Sequence, residues 1–186
     1  MNTTAIRLRH NRIRRTRVIE TPAAFPGNTP GTRSKGQESM MTVHPTHPDF
    51  ARAYGEAWDD AEALVAYFAP GGSYTDVAMG ATYVGLEEIA RFHRYMIKFA
   101  PDSNIKFVDA HASEGRLFAE WTWRGTFSSP LRMRSGALVD ATGTEFEVLG
   151  VAACAYDSDG KLLFHRDYWD LTTVLEQANV NIGGSR

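Results

Sequence analysis

The prevailing hydrophobic periodicity of this chain changes close to Pro101, and this change limits the folds that the chain can adopt. Before it, apolar residues recur with the 3.6-residue period of helices, as in Phe50, Tyr54, Ala57 and Trp58. After it, they alternate with the two-residue period of strands. Helices followed by hairpin-linked strands predict an α+β domain. The predicted strands cover residues 105–111, 116–127, 144–156 and 161–171.

Turn and cap residues predict where the other elements begin and end. One connection, residues 128–143, contains Pro and Gly and is long enough to act as a lid over a pocket mouth. The remaining predicted elements are helix starts at 46–49 and 59–60, a helix stop at 70–72, a strand at 73–77, a turn at 80–85 and a helix from 86 to 101.

The strand predicted at 161–171 carries ionisable side chains on both faces. A strand that only covered a core would alternate apolar and polar residues, so some of these charges are expected to be held inside by partners, as in a pocket. Asp170, at the end of this strand, is better explained as the cap of a following helical turn. One face carries Leu163, His165, Asp167 and Trp169, and the other carries Phe164, Arg166, Tyr168 and Asp170.

The first 43 residues are predicted to be a disordered basic tail. Up to Met41 this segment has eight Arg or Lys against two Glu, and Pro, Gly, Thr and Ser crowd residues 21–39. It resembles a transit peptide or a basic nucleic-acid-binding arm, but we favour a functionless tail, since translation that starts at Met40 or Met41 would make it a non-native extension. The folded domain is predicted to span residues 44–180, followed by a flexible C-terminus at 181–186.

Several classes of function are not supported by the residues. The six histidines are dispersed without metal-ligand spacing, and we find no phosphate-binding loop and no nucleophile elbow, so cofactor-free and metal-free chemistry is expected. The part after the tail is acidic, which argues against a nucleic-acid partner, and no apolar run is long enough for a membrane span. The single cysteine, Cys154, fits a reducing compartment, and we expect the cytoplasm.

The order of the motifs resembles the nuclear transport factor 2-like superfamily over roughly residues 45–178. The ending Gly160-Lys161-Leu162 with residues 166–171 resembles that of limonene epoxide hydrolases, as does the strand at 148–151. Residues 125–127 and 141–143 are similar to SnoaL-like polyketide cyclases. The resemblance implies a cone-shaped, curved antiparallel sheet wrapped around the N-terminal helices, an apolar pocket and a homodimer.

The resemblance also implies roles for individual residues. In the epoxide hydrolase family Asp167 would belong to an Asp-Arg-Asp set, but the other two positions hold Trp121 and Trp123. In the ketosteroid isomerase family Asp76 would be the catalytic base and Tyr54 an oxyanion donor. The second oxyanion donor of that family falls near Ala152, so another group would have to supply it.

Each candidate also has a structural interpretation. Asp167 and His165 share a face and could form an acid–base pair, or an ion pair that holds the sheet. Asp76 could be a pocket carboxylate or a turn residue, and His93 and Tyr54 could be donors to an oxyanion or core residues. The predicted catalytic residues are Asp167, Asp76, His165, Tyr54 and His93, and the predicted pocket residues are Tyr74, Trp58, Trp121, Trp123, Trp169 and Phe92.

These residues predict a SnoaL-like small-molecule enzyme. It would carry out cofactor-free acid–base chemistry (isomerisation, cyclisation or dehydration) on a small apolar oxygenated substrate. Two alternatives remain open at this point. One is a non-catalytic ligand-binding or dimerisation module, because a fold does not fix a function. The other is an epoxide hydrolase, which would require Arg124 or Arg166 to point inward beside Asp167.

Overall fold

The computed structural model describes residues 42–180, so most of the predicted tail and all of the predicted C-terminal segment lie outside the described residues. None of the helices in the described part is long and apolar enough to cross a membrane. The elements are α1 (Phe50–Ala57), α2 (Ala61–Val65), β1 (Phe68–Asp76), β2 (Ala81–Val84), α3 (Leu86–Phe99), β3 (Asn104–Ser113), β4 (Arg116–Thr126), β5 (Leu131–Arg132), β6 (Leu138–Val139), β7 (Glu145–Tyr156), β8 (Leu162–Trp169) and α4 (Leu171–Gln177).

Six strands form one curved, unclosed sheet in the order β2-β1-β8-β7-β4-β3. The pairs are antiparallel except β1–β8, which is parallel and joins the earliest strand to the last. Along β4 and most of β7 buried and exposed residues alternate, as expected when one face covers the core and the other faces solvent. The predicted α+β fold with a curved sheet around helices is therefore confirmed.

The helices pack their apolar faces into the concave side of the sheet. In α1 the buried residues include Phe50 and Tyr54, one turn apart, and in α3 they include Ile89, Phe92 and Met96. α2 begins where the Asp60 side chain accepts hydrogen bonds from the backbone N–H groups of Glu62 and Ala63. The helix start predicted at 59–60 thus corresponds to an observed cap.

Two local predictions before α3 are wrong. Residues 80–85 were predicted as a turn, but Ala81–Val84 form the edge strand β2, because Thr82, Tyr83 and Val84 favour strands although glycines flank them. The segment 70–72 was predicted to end a helix, but it lies inside strand β1, where the pairing of β1 with β8 is irregular. A Cβ at Gly72 would lie 2.7 Å from the Leu162 carbonyl oxygen, so only glycine fits this approach.

Two other predictions agree with the structure. The Asp170 side chain accepts a hydrogen bond from the backbone N–H of Thr172 and caps α4. The connection at 128–143 contains the separate hairpin β5–β6, and part of this hairpin lines the cavity described below.

Candidate active site

A cavity of about 490 Å³ lies between α3, the concave face of the sheet and the β5–β6 hairpin. Its wall is mostly apolar and aromatic, and its size is in the range of small-molecule sites. All four tryptophans of the chain line it. The structure brings all six residues predicted for the pocket to this wall: Tyr74, Trp58, Trp121, Trp123, Trp169 and Phe92.

Two carboxylates, Asp76 and Asp167, lie side by side in the cavity wall. They are register partners across the parallel pair β1–β8, as are Tyr74 and His165 two residues earlier. Because strand residues two apart point to the same face, all four side chains are directed to the inner side of the sheet. Asp76 is 6% exposed and Asp167 is 4% exposed.

The Asp167 carboxylate is surrounded by hydrogen-bond donors. Its Oδ1 accepts from Trp121 Nε1 at 2.8 Å and pairs with His165 Nε2 at 2.7 Å. Its Oδ2 accepts from the Tyr74 hydroxyl at 2.7 Å. Gly150, opposite Trp121 on β7, makes room for the indole, since a Cβ there would lie 2.1 Å from Trp121 Cζ2. Three donors satisfy this carboxylate before any ligand is bound.

His165 is fully buried behind Asp167 and links it to helix α1. Its Nδ1 is 2.9 Å from the Tyr54 hydroxyl, and both side chains are 0% exposed. Burial is the largest single influence on the pKa of His165 and lowers it, but the neighbouring Asp167 and Cys154 together outweigh burial and raise the pKa to about 10. The imidazolium form is therefore stable at neutral pH, where its Nδ1–H donates to the Tyr54 oxygen. Tyr54 and His165 form a buried polar network and do not line the cavity.

The Asp76 carboxylate has fewer partners. Its Oδ1 accepts from the backbone N–H of Met79 at 2.9 Å and from Trp169 Nε1 at 3.0 Å. Among residues 42–180 no hydrogen bond of good geometry reaches its Oδ2, although the backbone N–H of Ala78 interacts weakly with the carboxylate and slightly lowers its pKa. Burial, together with the negative charge of Asp167, raises the pKa of Asp76 to about 6. An oxygen without a donor and a pKa near neutrality are properties of a general base.

His93 is buried in α3 and also lies outside the cavity wall. Its Nε2 is 2.7 Å from the backbone oxygen of Trp58, which fixes the helix against the end of α1. Of the five predicted catalytic residues, the structure therefore brings Asp76 and Asp167 to the cavity, and it leaves Tyr54, His93 and His165 behind the wall. Their positions do not support direct contact with a substrate.

Metal ligands are not clustered in the described part of the chain. No group of three or more His, Cys, Asp or Glu side chains there is arranged to hold an ion. Arg124 pairs with Glu147 on the surface, and Arg166 lies over the Phe164 ring at 4.5 Å; neither lines the cavity. The arginine that an Asp-Arg-Asp set would need beside Asp167 is thus not supplied by either residue.

Comparison with known proteins agrees with this architecture. Residues 50–165, more than half of the chain, match the SnoaL-like domain. The chain belongs to this family. The match runs from α1 to the first half of β8, so Asp76 lies inside the matched segment and Asp167 lies two residues after it. No curated protein matches the sequence.

Solved structures share the fold of this SnoaL-like domain. A hypothetical protein from Catenulispora acidiphila with a ketosteroid isomerase-like fold, in complex with trimethylamine, has 22% identity over 76% of this chain and 100% of that chain, with a TM-score of 0.62. A protein named as a polyketide cyclase from Xanthomonas campestris has 22% identity over 68% of this chain and 92% of that chain, with a TM-score of 0.54. One named as a SnoaL-like polyketide cyclase from Jannaschia has 14% identity over 68% and 86%, with a TM-score of 0.57. The predicted superfamily is confirmed.

Several residues of this SnoaL-like cavity were not predicted from the sequence. Tyr83 lines it from β2, which was mistaken for a turn, and Arg132 and Arg134 line it from the hairpin. The strand-forming residues around Tyr83 were the signal that could have placed it, and the basic residues of the connection at 128–143 were a signal for the other two. Arg91 and Tyr95 of α3 are exposed, but they also line the cavity.

Proposed function

We propose that this SnoaL-like domain is an enzyme that moves a proton on an apolar, oxygenated small molecule, with Asp76 as the general base and no cofactor. The observation that carries the proposal is Asp76 itself. It faces an apolar cavity with an oxygen that no described donor satisfies, and its pKa is raised to about 6. The family and the fold support isomerase or cyclase chemistry on a small molecule.

The reaction begins at a carbon next to a carbonyl group. The Asp76 carboxylate takes the proton, the electrons of the C–H bond form the enolate double bond, and the carbonyl oxygen gains the negative charge. Return of the proton to another carbon gives an isomer. Attack of the enolate carbon on a second carbonyl forms a C–C bond and closes a ring, while the π bond of that carbonyl breaks and its oxygen takes the proton back from Asp76. Both outcomes need the same base and the same stabilised oxyanion.

Tyr83 is the proposed donor to the developing oxyanion. It lines the cavity, and its register partner is Tyr74, two residues from Asp76. Burial, and then the charge of Asp76, raise its pKa, so the hydroxyl stays protonated and lies within the field of the base. Within residues 42–180 no hydrogen bond occupies this hydroxyl, whereas that of Tyr74 already donates to Asp167.

The non-catalytic binding module is the second candidate, and a specific observation favours it. A binding module should have its polar groups paired with one another, and Asp167 is paired in this way by three donors. Asp76 is the group that separates the two proposals. The epoxide hydrolase alternative has weaker support, since Arg124 and Arg166 lie outside the cavity wall.

Deuterium exchange tests the general base without knowledge of the natural substrate. Bicyclic ketones such as 2-tetralone are incubated with the protein in deuterated buffer, and loss of the α-hydrogen signal is followed by NMR. Asp76→Asn should lower the protein-dependent exchange rate by a factor of about 100 or more, the usual contribution of a general base. Asp159→Asn, an exposed carboxylate in the β7–β8 turn, is the matched control and should leave the rate unchanged. Equal rates for the wild type and Asp76→Asn would favour the binding module.

The exchange rate should also depend on pH in a specific direction. The carboxylate form is the active base, so the rate should rise with pH and level off above a midpoint near 6, the pKa of Asp76. Tyr83→Phe should lower the plateau by about tenfold, because one oxyanion donor is lost, and it should leave the midpoint within the same pH range. A rate that falls as pH rises through 6 would contradict the assignment of Asp76 as the base.

We also propose that the domain forms a homodimer through the outer face of its sheet. Leu149 is 70% exposed there, Phe118 is 56% exposed and Tyr168 is 48% exposed. Val151, which is register partner to Tyr168, is 42% exposed, so these side chains lie on adjoining strands. Leu149→Lys should convert a dimer to a monomer in light scattering, whereas Val84→Lys, an exposed apolar residue on the edge strand, should not.

A further inference from the structure

Three arginines lie at the opening of the cavity. Their charge is opposite to that of the two carboxylates in its wall. Arg91 comes from α3, and Arg132 and Arg134 come from the β5–β6 hairpin. All three are exposed residues, although they belong to the cavity wall. The wall is thus apolar, with carboxylates buried in it and guanidinium groups at its rim.

The two arginines of the hairpin have no carboxylate partner in the part of the chain that is described. Arg91 pairs with Glu88 on its own helix, but no ion pair includes Arg132 or Arg134. Arg132 Nη1 donates only to the backbone oxygen of Gly136 at 3.3 Å within the hairpin turn. Most of the hydrogen-bonding capacity of both guanidinium groups is therefore available to a ligand.

Arg134 lies against the turn between β1 and β2. Gly80, in this turn, has a φ of 64°, which favours glycine, and a Cβ added to it would lie 2.5 Å from Arg134 Nε. The guanidinium thus packs directly on this glycine. The same turn contains Met79, whose N–H donates to Asp76, so the arginine and the base are attached to one short segment.

We propose that the ligand of this cavity is an amphiphilic acid: an apolar ring system that fills the cavity and an anionic oxygen group that binds Arg132 and Arg134. Guanidinium groups bind planar oxyanions through paired hydrogen bonds, which gives orientation as well as affinity. The buried acids repel the same charge, so the anionic end is directed to the rim and the apolar end to the base. This inference rests on the proposed function, since it names the substrate class of the same site.

Two kinds of molecule supply such a group, a carboxylic acid and an ionised phenol or enol. The first is tested with anthraquinone-2-carboxylate against its neutral isostere, anthraquinone-2-carboxamide. The second is tested with 2-hydroxyanthraquinone, above its phenolic pKa, against 2-methoxyanthraquinone. Because all four tryptophans line the cavity, binding is measured by quenching of tryptophan fluorescence, corrected for ligand absorbance.

At low salt the wild type should bind the anionic member of at least one pair about tenfold more tightly than the neutral member. The double variant R132Q/R134Q should lose this preference but should bind the neutral members as before. Arg116→Gln removes one positive charge from an exposed arginine of β4 outside the cavity wall, and it should keep the preference. The pair that shows the preference identifies the source of the anionic group.

Equal binding of both members of each pair to the wild type would overturn the proposal, as would a preference that survives in R132Q/R134Q. Failure of both pairs to bind would overturn it as well. Asp76→Asn separates this inference from the proposed function, because the variant should lose deuterium exchange and keep the preference for the anion. If exchange is independent of Asp76 while the preference depends on the two arginines, the base is wrongly assigned and the amphiphilic ligand stands.

Discussion

Asp76 and Asp167 are register partners across the parallel pair β1–β8 and are buried to a similar degree, yet they differ in the number of their hydrogen-bond donors and in the charge beside them. Asp167 has donors on both oxygens and an imidazolium partner. Asp76 has two donors on one oxygen and none among the described residues on the other. Neighbouring buried acids do not ionise independently, and stabilising one as the anion raises the pKa of the second. The satisfied acid therefore helps to make the other one a base.

The same comparison separates stability from activity. The network of Asp167, His165 and Tyr54 is fully buried and links β8 to α1, so its expected contribution is to the folded state. Asp76 is buried without a cationic partner, so its ionised form costs stability. A group that destabilises the fold and faces a cavity is typical of a functional site.

The largest stability effect is expected for Asp167→Asn. The substitution keeps the shape of the side chain but removes the negative charge next to the buried His165 imidazolium. Loss of one partner of a buried pair should lower the free energy of unfolding by about 3 kcal/mol at pH 7. Urea denaturation followed by far-UV circular dichroism measures it.

Asp159→Asn, which removes an exposed carboxylate, is again the control and should change the free energy of unfolding very little. If Asp167→Asn were as stable as the wild type within experimental error, the structural role assigned to Asp167 would be contradicted. In that case Asp167 would have to be reconsidered as a second reactive group.

Asp76→Asn should raise the free energy of unfolding, whereas Asp167→Asn should lower it. In the folded protein the pKa of Asp76 is about 6, against 3.8 for an unperturbed Asp, so between these values the folded state binds more protons than the unfolded state. Stability from this group therefore falls as pH rises from about 4 to 6, and the penalty is complete above 6. The variant should gain on the order of 2 kcal/mol at pH 8, and the gain should vanish near pH 4. Equal gains at pH 4 and pH 8 would show that the gain does not come from the cost of ionising Asp76.

Much of the fold was predictable from the sequence, because local chemistry determines it. The change of period near Pro101 predicted helices and then strands, and the cap at Asp170 followed from its position before a short helical segment. The parallel pairing of β1 with β8 could not be predicted from local sequence. It joins residues about ninety positions apart, and no local signal shows whether two such strands run parallel or antiparallel. Strand β2 was missed because flanking glycines outweighed its short strand pattern.

The sequence was enough to predict which residues form the candidate site, but not which of its acids is satisfied by hydrogen-bond donors. Alternation placed Leu163, His165, Asp167 and Trp169 on one face. The structure keeps the last three on the inner face, but Leu163 is exposed, because the pairing of β8 with β7 shifts register at the start of the strand. Which acid is satisfied depends on donors from distant elements: Trp121 of β4 reaches Asp167 because Gly150 of β7 has no side chain. Arg132 and Arg134 were not predicted, although they lie in the connection at 128–143, because exposed cations usually belong to a solvated surface.

The smallest effect is expected at the far end of the network, for Tyr54→Phe. When His165 is an imidazolium, its Nδ1–H donates to the Tyr54 oxygen, and the variant leaves this buried donor without a partner. The free energy of unfolding should fall by about 1 kcal/mol at pH 7.

The effect of Tyr54→Phe should also depend on pH. Because the pKa of His165 is raised in the folded protein, the stability that His165 contributes is present at low pH and is lost as pH rises through about 10. Because the neutral ring needs the hydroxyl less, the difference between Tyr54→Phe and the wild type should shrink in that range. Tyr156→Phe, whose hydroxyl makes no hydrogen bond to the described residues, is the matched control, and a deficit that stays constant as pH rises would show that His165 is already neutral at pH 7 in the folded protein.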